Sequence, residues 1–195
     1  MSPIRSGKLP IRPRRSRRDR ERLRSVMAIR KIVALGQDDV LRGHARPIAQ
    51  FDEGLCALLD DMAETMIGTG GIGLAAPQIG EPLRCAVIDT ASPAEGVDAE
   101  PCILELINPE IVSSEGQMTV IESCLSVPGR AGRVVRPERV KVRALDRTGK
   151  PFEIEGEDML AACLCHEIDH LDGIVYVDRM IEDCTEMFRQ NGVLS

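Results

Sequence analysis

Apolar positions recur at helical spacing in two stretches of this chain and alternate like strands in several others. Over residues 52–66, Leu55, Leu59, Met62 and Met66 fall four, three and four apart, one stripe along a helix. Asp60, Asp61 and Glu64 lie opposite and read as a solvated face. Upstream, over 29–48, short apolar runs are broken by Gly36, Gly43 and Pro47. The runs at 85–89, 103–106, 111–112 and 118–121 predict short strands, with turn-like sequence over 90–101. Over 133–145 apolar residues alternate with Arg139, Lys141 and Arg143, which predicts one half-exposed strand. Asp146-Arg147-Thr148-Gly149 then predicts a hairpin turn into a strand over 152–155. A second long helix should start at Glu157 or Asp158, where an acid suits the N-terminus, and stop near Gly173. A short helix is predicted over 178–190.

The first helix runs into Gly68-Thr69-Gly70-Gly71-Ile72-Gly73. A phosphate-cradling loop would need a following Lys-Ser/Thr, which is missing. Clustered glycines also serve where a backbone approaches a ligand closely. The small residues of Leu74-Ala75-Ala76-Pro77-Gln78 would let Gln78 face a crowded site.

Composition narrows the class. A length of 195 residues, 43% hydrophobic and 29% charged, fits one soluble globular domain. Aromatics make up 2%, so the core must be built from aliphatics, Met and Cys. No apolar run is long enough to span a bilayer, and the first residues lack a secretory signal, so no membrane partner is expected. Seven scattered cysteines without a CxxC pair suit a reducing cytoplasm.

The net charge of −6 conceals an asymmetry. Residues 1–26 hold ten Lys and Arg against two acids, leaving fifteen against twenty-nine for residues 27–195. The basic leader is expected to be disordered and the domain to occupy 27–195. Three readings of the leader compete: an arm for nucleic acid, an organellar targeting segment, or an upstream extension without a role. The last is favoured, because Met27 is followed at once by folded-looking sequence. No aromatic interleaves the arginines, so base stacking gets no support.

The second long helix carries the chemistry. His166-Glu167-Ile168-Asp169-His170 sets two imidazoles four apart, on one face, where both can reach one metal ion. Glu167 stands beside the first of them, placed to act on water rather than to bind the ion. Capped histidines on a buried polar face would be the plainer reading. Against it, the chain has three histidines and two stand here at ligand spacing. The third ligand stays open at this point. His44 lies far upstream in a loop, and Cys124 stands out among thiols because it ends a strand, precedes a Pro-Gly turn and has polar neighbours in Glu122 and Ser126.

Three separated stretches resemble the signature motifs of the peptide deformylase family: Gly71-Ile72-Gly73-Leu74-Ala75-Ala76-Pro77-Gln78, Glu122-Ser123-Cys124-Leu125-Ser126 and His166-Glu167-Ile168-Asp169-His170-Leu171. The resemblance runs from about Met27 to Met180 and leaves the leader outside. It implies an α+β fold, a compact single domain with antiparallel strands packed around a central metal-binding helix. It implies a metal-dependent hydrolase that removes the formyl group from the N-terminal formyl-methionine of newly made polypeptides and releases formate. Position by position, Cys124, His166 and His170 would be the metal ligands and Glu167 the general acid/base. The Gln78 amide and the Leu125 backbone N–H would hold the carbonyl oxygen, Ile72 and Gly73 would line the substrate groove, and the Ser123 backbone would bond to substrate. One divalent ion is implied, iron(II) in many members and zinc in others; cobalt or nickel also suit two imidazoles and a thiolate.

Two positions depart from the family pattern. Ser123 stands where Gly is common, so a Cβ would narrow the groove, and Cys165 stands where Gln is common, which would leave one polar contact unmade. Val120, Met159, Ala162 and Cys163 are candidates for the methionine slot, with ordinary core positions as the alternative. Transient ribosome association follows from the substrate class, although the predicted last helix offers no basic stripe for RNA. The rival readings are a zincin-type peptidase, which would take a third His or a downstream Glu, and a metal-binding protein of this type without activity.

Overall fold

The computed structural model describes residues 29–90 and 102–190, together with the backbone of 11–13. In chain order the strands are β1 (Ile11–Pro13), β2 (Gly73–Ala75), β3 (Cys85–Asp89), β4 (Cys102–Glu115), β5 (Met118–Cys124), β6 (Val127–Arg136), β7 (Arg139–Leu145), β8 (Pro151–Glu157) and β9 (Met180–Asp183). The helices are α1 (Glu53–Gly68), α2 (Asp158–Leu171) and α3 (Thr185–Gln190). One antiparallel sheet runs β2-β3-β4-β7-β8, with β1 on the free flank of β4; a second runs β5-β6-β9.

The larger sheet is covered on both faces, which explains the near-continuous apolar runs of its inner strands. Val87, Ile103 and Ile107 face α1, meeting Leu55, Leu59, Met62 and Met66. Ile88, Leu104 and Leu106 face the other way, against Ala161, Leu164 and Ile168 of α2. Helix α1 starts at Asp52, whose carboxylate accepts the Leu55 N–H at 3.0 Å and satisfies one of the free donors at a helix start. Helix α2 is buried on nearly every side, from Ala161 to Leu171. It is the central helix around which both sheets are arranged.

Three elements differ from expectation. The runs at 103–106 and 111–112 are one strand, β4, interrupted by bulges. Asn108 takes a left-handed φ of 52° there, and its side chain exchanges two 2.8 Å hydrogen bonds with the Ile48 backbone. Pairing with β7 resumes beyond Pro109, so the break is a bend and not an end. The stretch over 133–145 is two strands in different sheets, because Pro137 cannot continue the ladder. The predicted helix over 178–190 contains strand β9, drawn out of helical form by pairing with Gly132, Arg133 and Val134 of β6, and only its last six residues are α3.

Within the leader, Ile11–Pro13 pairs antiparallel with Cys102–Leu104, so these residues form a strand where disorder was expected. The rest of the leader lies outside the described residues. No helix among the described residues is long and apolar enough to cross a membrane.

Candidate metal centre and substrate groove

Helix α2 stacks His166 and His170 one turn apart, ring centroids 4.9 Å from each other and planes at 79°. Cys124 arrives from the other sheet. Its strand slips register between Ser123, opposite Ala131, and Cys124, opposite Val127, and this bulge brings the sulfur to the helix. Cys124 Sγ lies 3.2 Å from His170 Nε2, and one donor atom from each of Cys124, His166 and His170 falls within 4.8 Å of the others. His44 does not join them: its side chain is 83% exposed and near Asp172. A peptidase-type set with a third histidine is thereby excluded.

The donor set suits one borderline-soft divalent cation. Its surroundings favour a positive centre. Burial opposes a charged His166, but Cys124, Glu122 and Glu167 outweigh it and hold the imidazole pKa well above its usual value. The same acidic ring would hold a cation in place of that proton. His170 goes the other way: burial and the neighbouring His166 push its pKa well down, so it is a neutral donor.

Gln78 is 2% exposed and its amide orientation is fixed. Its Oε1 accepts the Ala75 N–H at 2.8 Å, which turns Nε2 toward Cys124 Sγ at 3.4 Å and Ser126 Oγ at 3.3 Å. The Ser126 N–H also points at Cys124 Sγ, at 3.4 Å. Glu167 is buried, 3% exposed, with one carboxyl oxygen lacking a protein partner. Burial, reinforced by Glu122 and opposed by His166, raises its pKa to about 7. Gly73 explains the glycine run: a Cβ built there would lie 2.2 Å from Glu167 Oε1. The backbone does approach a functional group closely at that point.

These residues open into a groove of about 490 Å³ between β2 and β5. Ile72, Gly73, Gln78, Ser123, Cys124, Leu125, His166 and Glu167 all line it, while His170 sits beneath, 1% exposed. The four slot candidates Val120, Met159, Ala162 and Cys163 line it too. Ile72 and Met159 form an apolar rim, 57% and 59% exposed. Ser123 is an exposed groove residue with its side chain free of the core. Cys165 instead packs in the apolar cluster with Ile88 and Leu104, and burial leads the effects that push its thiol up to about 11.

Sequence reasoning passed over the support behind the ligands. Glu122 Oε2 lies 2.8 Å from His166 Nδ1, and Arg136 holds both oxygens of that carboxylate at 2.7 and 3.0 Å. Burial would raise the Glu122 pKa, yet the hydrogen bonds from His166 and Arg136 prevail and bring it to about 2. Arg136 also donates to Asp169 at 2.6 Å, and Arg179 clamps that carboxylate at 2.7 and 2.8 Å. The available signal was an arginine on the buried register of β6, two after Val134 and just before Pro137.

Fold and site together define a class: a metal-dependent amide hydrolase in which a helix histidine pair and a strand cysteine form a group that could hold a metal ion. Comparison with known proteins narrows this to one family. The family described as "Polypeptide deformylase" matches residues 29–186. The peptide deformylase of Thermoanaerobacter pseudethanolicus is 51% identical over 155 residues, covering 80% of this chain and 91% of the relative. That of Acetivibrio thermocellus is 49% identical over 169 residues, covering 85% and 94%. Among solved structures, a peptide deformylase from Legionella pneumophila superposes with a TM-score of 0.72 at 49% identity, over 85% of this chain and 94% of that one. A class I type b peptide deformylase from Acinetobacter baumannii, solved with Met-Ala-Ser bound, gives a TM-score of 0.73 at 31% identity, over 80% and 100%. The chain belongs to the polypeptide deformylase family. It removes the N-formyl group from newly made polypeptides and binds a single metal ion to do so.

Proposed function

We propose that Cys124, His166 and His170 hold that ion, that Glu167 carries the proton, and that Gln78 and Leu125 receive the developing charge. The observation that carries the reading is the convergence of three donors, one from strand β5 and two from helix α2, within 4.8 Å, beside a buried carboxyl near neutral pKa. When bound, the cation supplies Lewis-acid activation of water and of the formyl carbonyl.

The formyl-methionine end of the substrate lies along β2 and β5, its side chain against Val120, Met159, Ala162 and Cys163. The Met-Ala-Ser peptide carried by the Acinetobacter neighbour supports this use of the groove. Glu167 accepts a proton from the attacking water as its oxygen adds to the formyl carbon. The Gln78 Nε2 and the Leu125 N–H donate to the carbonyl oxygen as charge builds there; one such donor is worth about 3–4 kcal/mol in the barrier. The C–N bond breaks when Glu167 passes the proton to the amine, giving formate and a free N-terminus. A pKa near 7 suits both halves of this transfer, and beside a bound cation the Glu167 carboxyl would favour its ionised, proton-accepting form.

We assign iron(II), on the family resemblance and the mixed nitrogen and sulfur donors, with zinc, nickel or cobalt as substitutes. The domain is assigned to residues 27–195, with Ile11–Pro13 adding a strand to its larger sheet, and the cytoplasm as its place of action, where formylated chains emerge from the ribosome. The metal assignment predicts activity that is lost in air and restored by ferrous iron, and activity indifferent to air would contradict it. Glu167→Ala, loaded with metal, tests the chemistry: metal content stays at the parent level while formate release from a formyl-Met peptide falls at least ~100-fold. Near-parent turnover by that loaded variant contradicts the role given to Glu167.

A further inference from the structure

The reaction as derived uses the two imidazoles and leaves unused a set of buried charges behind them. Arg136 is 4% exposed, and it touches two carboxylates, Glu122 and Asp169, each next to a metal ligand in space or sequence. A guanidinium presents its donors in a fixed planar fork. Here one edge takes both oxygens of Glu122, at 2.7 and 3.0 Å, and the remaining nitrogen takes Asp169 at 2.6 Å. Glu122 in turn meets His166 Nδ1 at 2.8 Å. Arg179, 45% exposed, closes the row from the surface side of Asp169. Two guanidiniums balance two carboxylates, so the row is neutral behind the site and leaves the Cys124 sulfur as the ligand group that can bring negative charge to it.

Orientation follows from this contact. An imidazole whose Nδ1–H is given to a carboxylate must offer Nε2 on its other side. That carboxylate needs its own anchor, because Glu122 is a strand side chain with rotamers that would carry it away from the ring. Arg136 supplies the anchor by donating to both oxygens of Glu122, and Asp169 with Arg179 fixes the plane of the Arg136 fork. We infer that Arg136 is a positioning residue, which holds Glu122 against His166 and thereby sets how tightly the chain retains its metal ion. The inference rests on the assignment of Cys124, His166 and His170 as the ligand set.

The test uses the full chain loaded with zinc and follows zinc loss to a colorimetric chelator. Arg136→Lys keeps the charge but cannot make the fork; the expected result is zinc release 10- to 100-fold faster, with the secondary structure unchanged and KM for a formyl-Met peptide within about twofold. Arg147→Lys is the control, since Arg147 is a partly buried arginine on Glu105 and Asp60, with no contact to the metal set. It should lower the melting temperature and leave zinc release alone. In the double variant Arg136→Lys/Glu122→Gln, zinc release should match that of Glu122→Gln by itself, because the arginine acts through that carboxylate. If Arg136→Lys fails to fold, Asp169→Asn, which keeps shape and removes the charge Arg136 shares with Arg179, is read the same way. A folded Arg136→Lys that keeps zinc as the parent does, or multiplicative effects in the double variant, overturns the inference while leaving the ligand assignment standing. A parent chain that binds no zinc overturns the ligand assignment itself.

Discussion

At Glu167 a carboxyl is enclosed by Gly73 on one side and the histidine pair on the other, and its chemistry depends on how little room it has. Gly73→Ala is the sharpest probe of that confinement. The added methyl would lie 2.2 Å from Glu167 Oε1, so the carboxyl must move while the strand pairing of Gly73 with Ile88 survives. We expect a fall of at least ~10-fold in kcat with metal content unchanged, because a misplacement of about 1 Å is enough to lose much of a positioned group's effect. Unchanged kcat would mean that the carboxyl has another place to work from. The residue scale is also where the sequence spoke most clearly. His166 and His170 were legible because helical spacing alone puts them together, and Glu167 because it adjoins one of them. Cys124 was named as a ligand only by resemblance, since no periodicity carries a strand end in one sheet to a helix packed on another. Arg136 was hidden for a related reason: an arginine reads as surface until its register and its partners are known.

At the scale of elements, the apolar pattern located α1, α2 and most strands, and it failed where pairing overrode local preference. Strand β9 is the clearest case. Its acidic, helix-compatible residues become a strand because β6 offers an open edge, and Gly132 lets Met180 cross it closely. A Cβ on Gly132 would lie 2.1 Å from Met180 Sδ and 3.0 Å from the Glu182 carbonyl oxygen. Gly132→Ala should therefore destabilise the fold by about 1–3 kcal/mol, read as a lower urea midpoint. An unchanged midpoint would show that the Met180 side chain moves aside at no cost. The β4 bend escaped notice for the opposite reason. Asn108 and Pro109 look like a loop in sequence, and only the pairing with β7 that resumes at Glu110, opposite Arg143, shows that the strand passes through them.

For the molecule as a whole, two sheets meet at a groove, and the helix between them provides its floor. Ion pairs fasten the outer segments to this frame. Arg42 pairs with Asp178, and the hydrogen bond between them pulls the Asp178 pKa below the usual carboxylate range. Thr185 and Arg130 do the same to Asp183. A folded pKa below the unfolded one stabilises the fold above the ordinary carboxylate value of about 3.9, and that contribution disappears as pH falls through the folded value. Between pH 4 and pH 2 the urea midpoint of Asp178→Asn should accordingly fall less than that of the parent. Equal falls in the two would contradict the direction given to Asp178. Both carboxylates are well exposed, so solvent and salt keep each contribution small.

The meeting of one sulfur and two imidazoles is the claim on which the remaining chemistry stands, and anomalous diffraction from crystals of the zinc-loaded chain tests it most directly. The account predicts a single zinc peak about 2.3 Å from Cys124 Sγ and about 2.0–2.1 Å from Nε2 of both His166 and His170. A peak bonded to other residues, or one that leaves Cys124 outside bonding distance, would contradict it.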